Sequence, residues 1–166
     1  MSKHRAARLA GVIVTLAAAL AAGGYAPRAS QPRAQAVKLF FILDEGGGQH
    51  GRRVGCGDSV VPVVVKIAPT ASPLKAAFTA LLAAEGEFYC ETGLRNSLAQ
   101  SSLRVEDVSV KNRVATVRLS GEYRDGGHCD TPRAQAQLVE TARQFPTVRA
   151  VRIFVNGKEL RFNPTD

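Results

Sequence analysis

Twice in this chain a short polar residue and a proline open a run whose apolar residues recur every three or four positions. The first start is Ser72-Pro73, followed by Leu74, Ala77, Phe78, Leu81 and Leu82, with Gly86 placed to end the run. The second is Asp130-Thr131-Pro132, followed by Ala134, Leu138, Ala142 and Phe145 before Pro146. A side-chain acceptor ahead of the first turn satisfies a free N–H, and proline fits that turn because it has no N–H to lose. Helices are therefore expected over 72–85 and from Asp130 to Phe145. Each has a single apolar face, which has to be buried against another layer.

The remaining apolar runs are short and β-branched, and supply that layer. Val37–Leu43, Val60–Ile67, Leu103–Val110, Val114–Ser120, Val148–Val155 and Lys158–Phe162 read as strands. Pro62 inside the second run demands an edge position or a bulge, because it cannot donate to a ladder. Asp107 breaks the alternation of Leu103, Val105, Val108 and Val110, which marks a bulge in that strand. Asp44–Gly57, with six glycines, and Gly121–Asp130 read as loops. Asn112 marks a tight turn, and Asn156-Gly157 is the strongest hairpin signal, since both residues accept positive φ. The expected architecture is α+β in the order ββαββαββ. Its two helices lie on one face of a mixed or antiparallel sheet, and the domain covers residues 37–166.

The N-terminus is of a different kind. Lys3, His4, Arg5 and Arg8 precede the apolar run Leu9–Ala22, and the turn-rich Gly23-Gly24-Tyr25-Ala26-Pro27 follows. A basic start, an apolar stretch and small residues are the order of a secretory signal, with Ala19 and Ala21 as the small positions of a cut near residue 21. Fourteen helical residues would span about 21 Å against a hydrocarbon core of about 30 Å, so a cleaved leader is favoured over a permanent span. Residues 1–22 are thus expected to be a signal peptide, and 23–36 a flexible linker without hydrophobic period. The protein is expected outside the cytoplasm, in the periplasm or cell envelope or secreted.

The chain carries a formal charge of +8. Removing Lys3, Arg5 and Arg8 with the leader leaves 19 basic against 14 acidic side chains, a modest excess of five. No basic run of nucleic-acid type occurs, and no nucleic acid is expected as partner. An envelope protein or a cell-wall component suits the balance. Arg118, Arg124, Arg149 and Arg152 would form a basic strip if their strands are neighbours.

Three cysteines, Cys56, Cys90 and Cys129, allow one bridge and leave one thiol over. Cys56 and Cys129 both sit in glycine-rich loops that tolerate close approach, whereas Cys90 stands beside Phe88 and Tyr89. The residues alone leave the pairing open.

Several stretches together resemble the GerMN family. They are the VKLFFIL strand, Gly55-Cys56-Gly57-Asp58-Ser59-Val60-Val61-Pro62-Val63, Ser72–Leu82 with Gly93-Leu94, the hairpin Val108–Ser120, and Thr141–Gly157. The last runs through Gln144-Phe145-Pro146 straight into a strand and its Asn-Gly turn, and the resemblance covers nearly all of 37–162. It implies an extracytoplasmic α+β fold similar to the ring-building motifs of bacterial envelope assemblies, and no reaction. Cysteine loops of this kind occur in a subset of these domains, which implies a Cys56–Cys129 disulfide. The inner hairpin departs from the family, where Asp-Gly or Asn-Gly is usual, by placing Arg113 after Asn112.

Catalytic readings find little support. Cys129 as nucleophile, with His50 or His128 as base and Asp58 or Asp130 as orienter, requires sequence neighbours to face one another. His50, Cys56, His128 and Cys129 offer zinc-ligand types without any paired ligand spacing. The chain is read as a non-catalytic binding or assembly module with no cofactor or metal. The alternative is a small extracytoplasmic hydrolase or zinc protein built from those loops. Self-association through the helix-free surface is a further expectation, since edge strands invite it, with a monomer as its competitor.

Overall fold

The computed structural model describes residues 34–162. The expected leader and nearly all of the expected linker lie outside those residues. Seven strands and two helices follow in the order β1 (Gln35–Leu43), β2 (Arg52–Val54), β3 (Asp58–Ile67), α1 (Pro73–Leu82), β4 (Arg104–Lys111), β5 (Val114–Ser120), α2 (Asp130–Arg143), β6 (Ala150–Val155) and β7 (Lys158–Glu159). The fold is α+β as expected, with two corrections to its layout.

The strands form two sheets rather than one. The first has the order β1-β3-β2 and is antiparallel; the second, β4-β5-β6-β7, is mixed because β5 and β6 run parallel. Splitting the strands lets α1 and α2 bury their faces against both groups, α1 on β1 and β4, α2 on β1 and β6. The second correction is β2, which lies inside the stretch expected to be loop. Arg52–Val54 is too short and too charged to read as a strand, and it forms by pairing with the start of β3.

One main core unites the layers. Val37, Leu39 and Phe41 of β1, Leu74, Phe78 and Leu81 of α1, Leu138 and Ala142 of α2, and Ala115, Val117 and Leu119 of β5 are all buried together. These are the period-2 and helical-period positions of their elements. A smaller cluster, Ile42, Val60 and Ala136, with Phe40 and Val54 against it, sits beside the β2 strand.

The expected bulge appears between Val105 and Asp107. Asn112 and Arg113 both have positive φ (50° and 63°), so the inner hairpin keeps a two-residue turn although its second residue is not glycine. The Arg113 carbonyl there accepts the N–H groups of Arg149 and Ala150. Asn156-Gly157 turns β6 into β7 as expected, and the Asn156 side chain also bonds both backbone groups of Gly121 (3.1 and 2.8 Å). Ser72 precedes α1, but its side chain makes no capping bond. The last strand is two residues long, shorter than the expected 158–162.

Candidate functional site

The Gly55-Cys56-Gly57-Asp58 segment meets the first turn of α2. Cys56 and Cys129 are joined, with Cα atoms 5.7 Å apart across 73 residues of sequence. Gly55 lies so close to α2 that an added Cβ would stand 2.8 Å from the Pro132 ring, which is why no larger residue fits there. Next to the bridge, Asp58 is buried and receives the Arg133 Nε at 2.7 Å and the Glu45 N–H at 2.9 Å.

The ionic contacts continue from there. Arg133 also reaches Asp130 (3.2 Å) and Asp44 (3.6 Å). Asp44 in turn takes Arg95 at 2.7 Å, and Arg95 is bonded to Glu87 as well. Burial by itself would lower the Arg133 pKa, but the hydrogen bonds to Asp58 and Asp130 outweigh it and the net shift is upward. The Arg95 pKa is raised chiefly by its hydrogen bond to Asp44, against the opposing effect of burial. Both guanidinium groups therefore stay charged, and each carboxylate they meet is held in place. Disulfide and ion pairs together clamp the 44–58 segment onto α2 and onto the 87–96 segment.

Neither Arg133 nor Arg95 stood out in the sequence. The available signal for Arg133 was its i,i+3 spacing from Asp130 within an otherwise uncharged turn of α2.

With their sulfurs joined, Cys56 and Cys129 offer no thiolate to a metal or a substrate. That takes two members from the His50, Cys56, His128 and Cys129 set. Among the described residues no group of three His, Cys, Asp or Glu side chains is placed to hold a metal ion. Cys90 is free and exposed. An open groove of about 510 Å³ lies beside the bridge, between β2, α2 and β6. Arg52 and Arg143 line it, and Arg52 is already paired with Glu140 (3.0 Å).

The outward face of the second sheet holds part of the expected arginine strip. Register places Arg104, Asp107, Ser109 and Lys111 of β4 on the same side as Thr116 and Arg118 of β5, Arg152 and Phe154 of β6, and Glu159 of β7. Arg118 and Arg152 both lie over the Phe154 ring, at 5.3 and 5.0 Å from its centroid. Arg152 is also bonded to Glu159 at 2.8 Å, which raises the arginine pKa and lowers that of the carboxylate. Arg124 and Arg149 do not join this pair. Arg124 is engaged with Glu122 (3.2 Å) in the segment after β5, and Arg149 precedes β6 with its N–H bonded to the Arg113 carbonyl.

A family model described as Germane, sporulation and spore germination, matches residues 38–161. This chain belongs to the Germane family. Among solved structures the Germane chain is similar to the first GerMN domain of the sporulation protein GerM from Bacillus subtilis. The identity is 20% and the TM-score 0.54, over 78% of this chain and 90% of that one. It is also similar to the tandem GerMN domains of GerM from Bacillus subtilis, at 15% identity and TM-score 0.54, over 75% of this chain and 40% of that one. At these identities the likeness shows the shared fold. No curated protein matches the chain significantly.

Proposed function

We propose that this Germane-family protein is an exported, non-catalytic binding or assembly module of the bacterial cell envelope. In this reading the outward face of the second sheet takes an anionic cell-wall component. The observation that carries it is the pair Arg118 and Arg152 laid on Phe154, flanked by Arg104 and Lys111. Among the described residues Arg104, Lys111 and Arg118 have no ion-pair partner, so their charge is open to a ligand. A ring beneath two guanidinium groups holds their planes; the Arg152 Nε is taken by Glu159, while the Arg118 N–H groups are left for carboxylate or phosphate oxygens. The non-catalytic reading is supported by the joined Cys56 and Cys129 and by the way Asp44, Asp58 and Asp130 are spent on Arg95 and Arg133. Export is supported by the leader-like N-terminus and by a disulfide that persists in an oxidising compartment.

The test is co-sedimentation of the purified protein with wall fragments, before and after their anionic polymers are stripped. Retention should fall on stripped walls, fall with added salt, and fall in an Arg118→Gln/Arg152→Gln variant. Equal retention on stripped walls, or by the variant, would overturn the assignment. N-terminal sequencing of envelope-bound protein should begin within a few residues of Ala22, and recovery of intact Met1 in the cytosol would remove the export part.

A further inference from the structure

The strand edges of this fold are treated unequally. In β1 the residues whose backbone groups point away from β3 are filled one after another. Lys38 exchanges two bonds with the Gln144 side-chain amide (2.7 Å each), the Phe40 carbonyl takes Gln137 Nε2 (2.9 Å), and Ile42 exchanges two with the Arg95 backbone. In β3 the first residue beyond the reach of β2 on its open side is Pro62, which has no N–H to offer. The β1 edge is thus filled, and the open side of β3 begins at a residue with no donor.

β4 has no such guard. It is the outermost strand of the second sheet, and none of its eight residues is buried. A two-residue turn closes on a pair that exchanges both hydrogen bonds, here Lys111 and Val114. Counting back, Ser109 bonds inward to β5, while Val108 and Val110 turn their N–H and C=O groups outward. Among the described residues nothing pairs with those groups; the Lys75 ammonium reaches only the Glu106 carbonyl, at the bulge. Val110 is 42% exposed. Beside it lies a groove of about 230 Å³ whose lining includes Pro73, Leu74, Val108, Val110 and Phe145, together with Lys75 and Thr147.

We propose that this edge pairs with the β4 edge of a second copy of the chain, antiparallel and centred on Ser109. The strand is self-complementary in that register. Val108 falls opposite Val110 of the second copy, so the two outward-pointing residues exchange both of their hydrogen bonds, and the twofold axis repeats the pair. The incoming Val110 lands beside Val108, next to that groove. On the outward face Asp107 falls opposite Lys111 of the second copy, again twice. Neither residue has an ion-pair partner within its own chain among the described residues. Oppositely charged residues directly across an antiparallel pair stabilise it, and like charges there oppose it. The product is a continuous eight-stranded sheet whose two Arg118–Phe154–Arg152 faces lie on the same side. Isologous pairing of this kind closes as a dimer and leaves no new edge.

Sedimentation of the purified protein without wall material, over a range reaching millimolar concentration, tests the pairing independently of any polymer binding. The wild type should pass from monomer to dimer. Val110→Pro should stay monomeric while keeping its melting behaviour, because the lost N–H points away from β5. Asp107→Lys should weaken association by roughly tenfold or more by placing like charges together, and adding Lys111→Asp should restore it. Register is read separately. Ser109→Cys in a Cys90→Ser background should give a disulfide-linked dimer under mild oxidation, since opposed residues at a non-bonded antiparallel position have Cα atoms about 4.5 Å apart. A monomer at every concentration overturns the proposal, as does a dimer indifferent to Val110→Pro and to the charge exchange. If Val110→Pro does not fold, the charge exchange decides.

Discussion

Arg133 and Asp58 show how much a single buried pair can control. Asp58 is 1% exposed and gets its counter-charge at 2.7 Å from Arg133. Removing the cation leaves a carboxylate in the interior with the Glu45 N–H but no counter-charge, which costs far more than the pair's net contribution. Arg133→Met is therefore expected to destabilise by about 3–5 kcal/mol in urea unfolding, and adding Asp58→Asn should recover part of that loss. Tyr123 is the opposite case, a polar atom that gains nothing. Its hydroxyl is buried and has no hydrogen-bond partner among the described residues, and its ring meets Phe162 edge-on at 6.2 Å. Burial first, then the charges of Asp125 and Asp130, push its pKa up from 10.0 to about 12. A raised folded pKa means that the neutral form is favoured in the native state. The stability this confers is complete below pH 10 and is lost as pH climbs towards about 12. Stability measured across that window should fall in the wild type and stay flatter in Tyr123→Phe. The variant should cost little at neutral pH, because the hydroxyl it removes makes no hydrogen bond among the described residues.

At the scale of elements, the 44–57 segment carries the clearest lesson. Its glycines announce a loop, and a loop it largely is, yet Arg52–Val54 becomes a strand because the start of β3 offers an open ladder. No local pattern could reveal that, since a three-residue strand takes its stability from its partner. The disulfide fixes the far end of the segment to α2. In the chain-entropy model a bridge across 73 residues contributes about 4 kcal/mol by restricting the unfolded chain. Cys56→Ser/Cys129→Ser should lower the denaturation midpoint and abolish its sensitivity to reductant, while Cys90→Ser should change neither. Mass mapping of the native protein should recover Cys56 linked to Cys129, and a peptide containing linked Cys90 would contradict this. Gln137 within α2 and Gln144 just after it make a similar point. A glutamine on the buried stripe beside Ala134, Leu138 and Thr141 is a visible anomaly in the sequence, but that it occupies the edge of a strand 97 residues away is a tertiary fact.

For the whole molecule, two sheets share one main core. Phe41 of the first sheet, Val117 of the second and Phe78 and Leu138 of the helices are buried in the same cluster. The sheets should consequently unfold together, with denaturation curves from secondary structure and from aromatic packing overlaying in the oxidised protein. Separate transitions for the two would show that the core is less shared than its packing indicates. The helix starts, the hairpin turns and six of the seven strands, all but β2, were legible in the sequence. Each depends on local chemistry, whether proline at a first turn, asparagine at positive φ, or alternation of β-branched residues. The same holds for the edge role of Pro62 and the bulge before Asp107, which follow from what a backbone can donate and how side chains alternate. What the sequence left undecided was every relation set by distance in space. The split into two sheets, the β2 strand, the Asp44–Arg95–Arg133–Asp58 contacts and the meeting of Arg118 with Arg152 but not with Arg124 or Arg149 all needed the tertiary structure. Periodicity specifies which face of an element is apolar, while the partner that covers it is chosen by packing among residues far apart in the chain, and a one-dimensional pattern holds no record of that choice.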